Sequence, residues 1–139
     1  MTLRRLERLG KMRNINKDGR KTIFMDIDGT LVPHNYDPEH IPDTLIKKSV
    51  DYLKKEMLGS VIFLVTSRSY EHAHPVEALL RYEGVYIQGI ISGLPTGQRI
   101  LVNDYKNISD EPKAIALNVP EGVGVDDTGN CEFHKQWCS

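Results

Sequence analysis

The chain contains no long apolar run, very little cysteine and almost no net charge. Its longest unbroken aliphatic or aromatic stretch, Val61 to Val65, falls far short of the roughly 20 residues a membrane-spanning helix needs. The N-terminus is charged and has no continuous apolar segment of the kind that marks a secretory leader, so a cytoplasmic protein that does not engage membranes is expected. Only two cysteines occur, Cys131 and Cys138, both near the C-terminus. With His134 they supply three soft ligands where a structural zinc site uses four, so a loose tail with reduced thiols is the expectation.

The net charge of −1 hides an uneven distribution. Residues 1–21 hold eight Lys/Arg against Glu7 and Asp18, a local excess of about +6 that leaves the remainder near −7. Leu3, Leu6, Leu9 and Met12 recur roughly every three residues, as in a short amphipathic helix. Such a head suits nucleic acid, an anionic surface or a protein partner, or it is simply a solvated extension. The 139 residues, 40% hydrophobic and 27% charged, are enough for one domain with a single core. The expected organisation is a basic extension over 1–20, a domain over 21–120 and a tail over 121–139.

Apolar runs bounded by turn residues place strands near 22–26, 60–65, 85–91, 99–103 and 114–118, each short and continuous enough to be buried on both faces. Between the first two, Leu45, Val50, Leu53 and Met57 recur with helical spacing, from a start near Pro42 to an end before Gly59. A second helix is expected over 71–82, with Pro75 moving its true start towards residue 74. Alternating strands and helices predict an α/β fold: a doubly wound, Rossmann-like parallel sheet of about five strands with flanking helices. Such sheets bind ligands beyond the carboxyl ends of their strands. Asp26, Thr66 and Asp104 fall at those ends.

The segment "TIFMDIDGT" at the first strand, "LVTSR" at the second and "ILVNDYK" at the fourth together resemble the haloacid dehalogenase-like phosphatase superfamily over roughly residues 21–118. The resemblance implies a phosphomonoester hydrolase working through an aspartyl-phosphate. Asp26 would be the nucleophile and Asp28 the general acid and base. Residues i and i+2 of an extended segment point the same way, so both can reach one phosphoryl group, and Gly29 lets the backbone turn beside it. Mg²⁺ would be held by Asp26 and Asp104 through carboxylates and by Asp28 through its carbonyl, with Asn103 supporting it. Thr66 would donate to a phosphoryl oxygen, and Gly29, Ser67, Arg68 and His34 would line the substrate.

One departure stands out. Related short proteins carry lysine in a "GKP" context, whereas this chain reads "GLP", with Leu94 in the lysine's place. Arg99 is the preferred replacement, since its fork suits two phosphoryl oxygens; Lys106 and Lys113 are the others. Plainer roles exist for several of these residues: Thr66 and Ser67 as a helix cap, and Arg68 in a surface salt bridge. His72 and His74, two apart on a helix, do not face each other and are not read as a shared metal site. His34 and Asn35 follow the first motif, where the superfamily has a flap. The stretches that would hold a cap domain are short, so a capless enzyme is expected. That suits a macromolecular phosphorylated substrate, or a sugar phosphate in a homo-oligomer. The competing readings are a catalytically silent module that binds nucleic acid or a partner through its basic head, and a phosphate-accepting receiver domain. Against the receiver, "SGLP" after the third strand offers no aspartate.

Overall fold

The computed structural model describes residues 20–104 and 112–125 and the backbone of residues 135–136. Three strands, β1 (Lys21–Asp26), β2 (Ser60–Val65) and β3 (Gly89–Ile91), form a parallel sheet in the order β1-β2-β3. The register sets Phe24 beside Phe63, Asp26 beside Val65 and Val65 beside Ile91, so the carboxyl ends of the strands meet along one edge. Helix α1 (Lys47–Glu56), continued by a 3-10 turn at Met57–Gly59, links β1 to β2, and α2 (Tyr70–Tyr82) links β2 to β3.

Crossovers between parallel strands are right-handed almost without exception, so a sheet built in the order 1-2-3 receives both of its helices on one face. The packing agrees. Val50 and Leu53 of α1 join Ala73, Val76 and Leu80 of α2 in a single cluster with Met25, Ile62 and Leu64, and Ile23 and Ile90 pack against it. Each fully buried Leu, Ile or Val here contributes about 1.5–3 kcal/mol over leaving it in water. The alternate strand positions point the other way. Phe24, 49% exposed, stacks on Phe63 with ring centroids 5.9 Å apart. Val61 and Phe63, though partly covered, do not join the core cluster.

Several elements differ from the sequence expectation. Among the described residues the parallel sheet has three strands rather than about five, and no second layer of helices is present. The aliphatic run at 99–103 forms no strand there: Ile100 is 81% and Val102 84% exposed. Three aliphatic residues favour extended backbone but cannot supply the neighbour an extended chain must bond to. Ala116–Leu117 (β4) does pair, but antiparallel with Lys135–Gln136 (β5), in a separate two-stranded ladder.

Helix α1 begins at Lys47 rather than near Pro42, because the preceding residues are drawn into other contacts; the Ile46 amide, for one, donates to the Leu31 carbonyl at 2.7 Å. Helix α2 begins at Tyr70, ahead of Pro75. Ser69 caps it, its hydroxyl accepting from the His72 amide at 3.4 Å. Pro75 removes one donor without ending the helix, since Ala73 and Val76 on either side of it are fully buried.

Part of the segment expected to be tail packs into the core. Val125 is 4% exposed, and its amide donates to Ser49 Oγ at 3.2 Å. Gly124, at φ +91°, lies so close to α1 that a Cβ there would sit 2.8 Å from Ile46 Cγ2. The amphipathic N-terminal repeat, Lys106 and the Cys131/His134/Cys138 group lie outside the described residues. No described helix is long and apolar enough to cross a membrane.

Candidate active site at the strand ends

Asp26 is the last residue of β1 and Thr66 the first beyond β2, so the sheet register alone sets them side by side. Ile27, fully buried, anchors the chain between the two aspartates. The backbone then turns tightly: the amides of Thr30, Leu31 and Val32 all point at the Ile27 carbonyl, at 3.2, 2.9 and 3.2 Å. Gly29 makes this turn at φ +79°, and a Cβ on it would press to 3.0 Å from Glu121 Cγ. The Gly29 carbonyl accepts from the Gly122 amide at 2.7 Å, so the 120–125 segment is fastened to the aspartate loop.

Asp26 is partly open, its side chain 35% exposed. Thr30 Oγ1 donates to its Oδ2 at 3.2 Å, and Arg99 Nη1 donates to its Oδ1 at 3.0 Å, across 73 residues of sequence. The favoured basic residue therefore reaches the carboxylate read as the nucleophile. Lys113 instead pairs with Asp104, at 2.8 Å.

Asp28 has a different environment. Arg68 Nε and Nη2 donate to its two oxygens at 2.9 and 2.7 Å, and the Asn35 amide adds a bond to Oδ1 at 3.3 Å. The same guanidinium holds Asp43, through Nη2 to Oδ1 at 2.9 Å and Nη1 to Oδ2 at 2.8 Å, while Nη1 also donates to the His72 carbonyl at 3.2 Å. All five N–H donors of a guanidinium are thereby engaged. This is not the surface salt bridge weighed from the sequence. The Arg68 side chain is 5% exposed and that of Asp43 6%.

The Arg68 hydrogen bonds hold the Asp43 carboxyl below the usual carboxylate range, against burial, which pushes it up; the Asn35 side chain assists the lowering. In return Asp43, then Asp28, raises the Arg68 pKa above its ordinary value. Asn35 Nδ2 bonds both Asp43 Oδ1 at 3.0 Å and the Ile41 carbonyl at 2.8 Å, tying the 35–43 loop to the ion group.

Thr66 is buried at 1% exposure, and its Oγ1 accepts from the Arg68 amide at 3.0 Å in the turn ahead of α2; the helix cap weighed for Thr66 and Ser67 falls instead to Ser69. Ser67 is exposed beside it. His34 stacks against Tyr36, with centroids 4.2 Å apart, and its Nδ1 lies 3.8 Å from Glu121. Local pattern carries no sign of Asp43 or Glu121 at this edge. Asp43 follows Pro42 at the expected start of the first helix, and nothing local names Arg68 as its partner.

Of the groups expected to hold Mg²⁺, the Asp26 and Asp104 carboxylates pair with Arg99 and Lys113. No group of three or more His, Cys, Asp or Glu among the described residues is placed to hold a metal ion. As arranged, Asp26, Asp28 and Asp104 each face a cationic side chain instead.

No family model and no curated protein matches this chain. Among solved structures it is similar to D,D-heptose 1,7-bisphosphate phosphatase from B. bronchiseptica, complexed with magnesium and phosphate, at 15% identity and a TM-score of 0.42. That likeness covers 52% of this chain and 49% of that one, so the chain spans about half the length of the protein it matches.

Proposed function

We propose that the chain is a phosphomonoester hydrolase in which Asp26 attacks phosphorus. The observation that carries this reading is a partly exposed carboxylate at a strand end with one arginine donor on one oxygen and a threonine hydroxyl on the other. A phosphoryl group entering there meets a nucleophile and a compensating cation at once. Arg99 can transfer its donors from Asp26 to two phosphoryl oxygens, which frees the attacking oxygen and offsets the charge of the incoming group. The Asp26–phosphorus bond forms as the ester P–O bond breaks, the leaving oxygen takes a proton, and water then cleaves the aspartyl-phosphate.

Asp28 is the nearest acid in sequence to that leaving oxygen. It can serve only after releasing Arg68, whose second carboxylate, Asp43, retains the guanidinium. Asp26, Asp104 and the Asp28 carbonyl are the groups that would hold Mg²⁺, which would supply further compensation for the phosphoryl charge. An open crevice suits phosphorylated macromolecular ends, or sugar phosphates bound by a homo-oligomer.

A second reading, a catalytically silent module binding through its basic head, draws support from the same ion group: an acid held at both oxygens by a buried arginine is well placed to brace a fold. Hydrolysis of an aryl phosphate, with and without added Mg²⁺ and beside Asp26→Asn, separates the two. Turnover lost in that variant supports the enzyme. No turnover across aryl, sugar and 3′-oligonucleotide phosphates defeats it.

A further inference from the structure

We infer that His34, oriented by Glu121, hands the proton to the leaving oxygen, in place of the Asp28 carboxyl that the Asp-x-Asp spacing suggests. The inference rests on the reading of Asp26 as nucleophile and adds a second acting group to the same site.

The engagement of Asp28 is the first argument. Both of its oxygens accept from Arg68, at 2.9 and 2.7 Å, and the Asn35 amide occupies a further place on Oδ1 at 3.3 Å. To deliver a proton the carboxylate would first have to take one up, which means giving up two charge-assisted bonds. Arg68 cannot follow it outward, because Asp43 and the His72 carbonyl hold the rest of the guanidinium in place.

The second argument is what stands over the same loop. The Asn35 amide that reaches Asp28 belongs to the peptide unit joining it to His34, so His34 is held beside the second aspartate. Glu121 approaches the loop at Gly29, where a Cβ would lie 3.0 Å from its Cγ, and the Gly122 amide fastens its segment to the Gly29 carbonyl at 2.7 Å. The imidazole meets it there, with Nδ1 3.8 Å from Glu121 Oε1, a charge contact rather than a hydrogen bond. Tyr36 stacks on the ring at 4.2 Å, and the His34 side chain remains 41% exposed, open to a ligand. With Nδ1 turned to a carboxylate, Nε2 is the nitrogen left for substrate.

Imidazole is the side chain most often used for such proton transfers. In the first step an Asp26 oxygen bonds phosphorus, the ester P–O bond breaks with its electron pair kept by the leaving oxygen, and the proton on His34 Nε2 passes to that oxygen. In the second, neutral Nε2 takes a proton from water as the water oxygen bonds phosphorus and the Asp26–phosphorus bond breaks. Carboxylate, protonated ring and inorganic phosphate result.

The test compares two esters on the full chain: p-nitrophenyl phosphate, whose phenoxide departs without a proton, and glycerol phosphate, whose alkoxide needs one. The measure is kcat/KM, which reports loss of transition-state stabilisation from free enzyme and substrate. His34→Gln should lower it by about 10³-fold for glycerol phosphate and only several-fold for the nitrophenyl ester, with the urea midpoint unmoved. Glu121→Gln should show the same preference at about tenfold, as a positioning residue does. A merely structural role for His34 would weaken both esters alike, so equal losses overturn the assignment, as does an undiminished rate on glycerol phosphate. An undiminished rate in Glu121→Gln would overturn its orienting role. Turnover that is lost in Asp26→Asn but indifferent to His34→Gln defeats this inference and leaves the hydrolase standing. Absence of turnover on both esters in the parent chain defeats the two together.

Discussion

Asp26 and Asp28 leave the sheet two residues apart, and each meets an arginine far along the chain, yet the two pairs are built for different work. Asp26 and Arg99 share one hydrogen bond at a surface where the side chains are 35% and 43% exposed. Asp28 and Arg68 share two, and the guanidinium spends its remaining donors on Asp43 and a carbonyl in a site nearly closed to water. An exposed pair costs little to part, about 0–1 kcal/mol. A buried one resists parting, because the member left behind keeps its charge and loses its partner. The difference teaches that the adjustable member of the Asp-x-Asp motif is the first aspartate, while the second is committed to joining β1, the 35–43 loop and the end of β2.

The sharpest separation comes from Asp26→Asn. On the proposed reading of Asp26 as nucleophile, it should lower aryl phosphate hydrolysis by about 10⁴-fold with urea midpoints barely moved. Arg68→Met should do the reverse to stability, costing about 3 kcal/mol in urea unfolding, because the nearly closed-off Asp43 and the 22%-exposed Asp28 lose their shared cation. A cost below about 1 kcal/mol would mean that the ion group opens to water, and the contrast drawn here would fail.

Acid titration sharpens the comparison further. The folded-state pKa of Asp43 is lowered, so its stabilisation is complete above the unfolded value, about 4, and fades as pH falls through the lower folded value. Asp43→Asn should therefore be less stable than the parent by about 1–3 kcal/mol at neutral pH, with the gap narrowing below about pH 4. Parallel curves would exclude Asp43 as the titrating group. The smallest effect on stability belongs to Arg99→Ala, at most about 1 kcal/mol. Its hydrolysis should nonetheless drop by about 10²-fold if the fork receives the phosphoryl group, and retention of full rate would pass that duty to another cation.

How much of this was legible in the sequence follows from the range of each interaction. β1, β2 and the two helices announce themselves because period and apolar run length are local properties. The placement of Asp26 and Thr66 at adjacent strand ends followed from those strands. Arg99 was chosen on chemical grounds, and its approach to Asp26 is a contact between distant segments that local pattern only permits. Asp43 was invisible: it lay within the stretch assigned to a helix, and its ties to Arg68 and Asn35 hold that stretch out of helical form. The run at 99–103 misled for a related reason, since composition favours extension but ladder partners come from elsewhere in the chain.

The anchoring of Gly124 and Val125 against Ile46 and Ser49 has a consequence for handling the protein in the laboratory. A protease that cuts between 118 and 119 would loosen the peptide that seals the start of α1. Shortened versions ending before Val125 should accordingly be harder to purify intact than those that retain it.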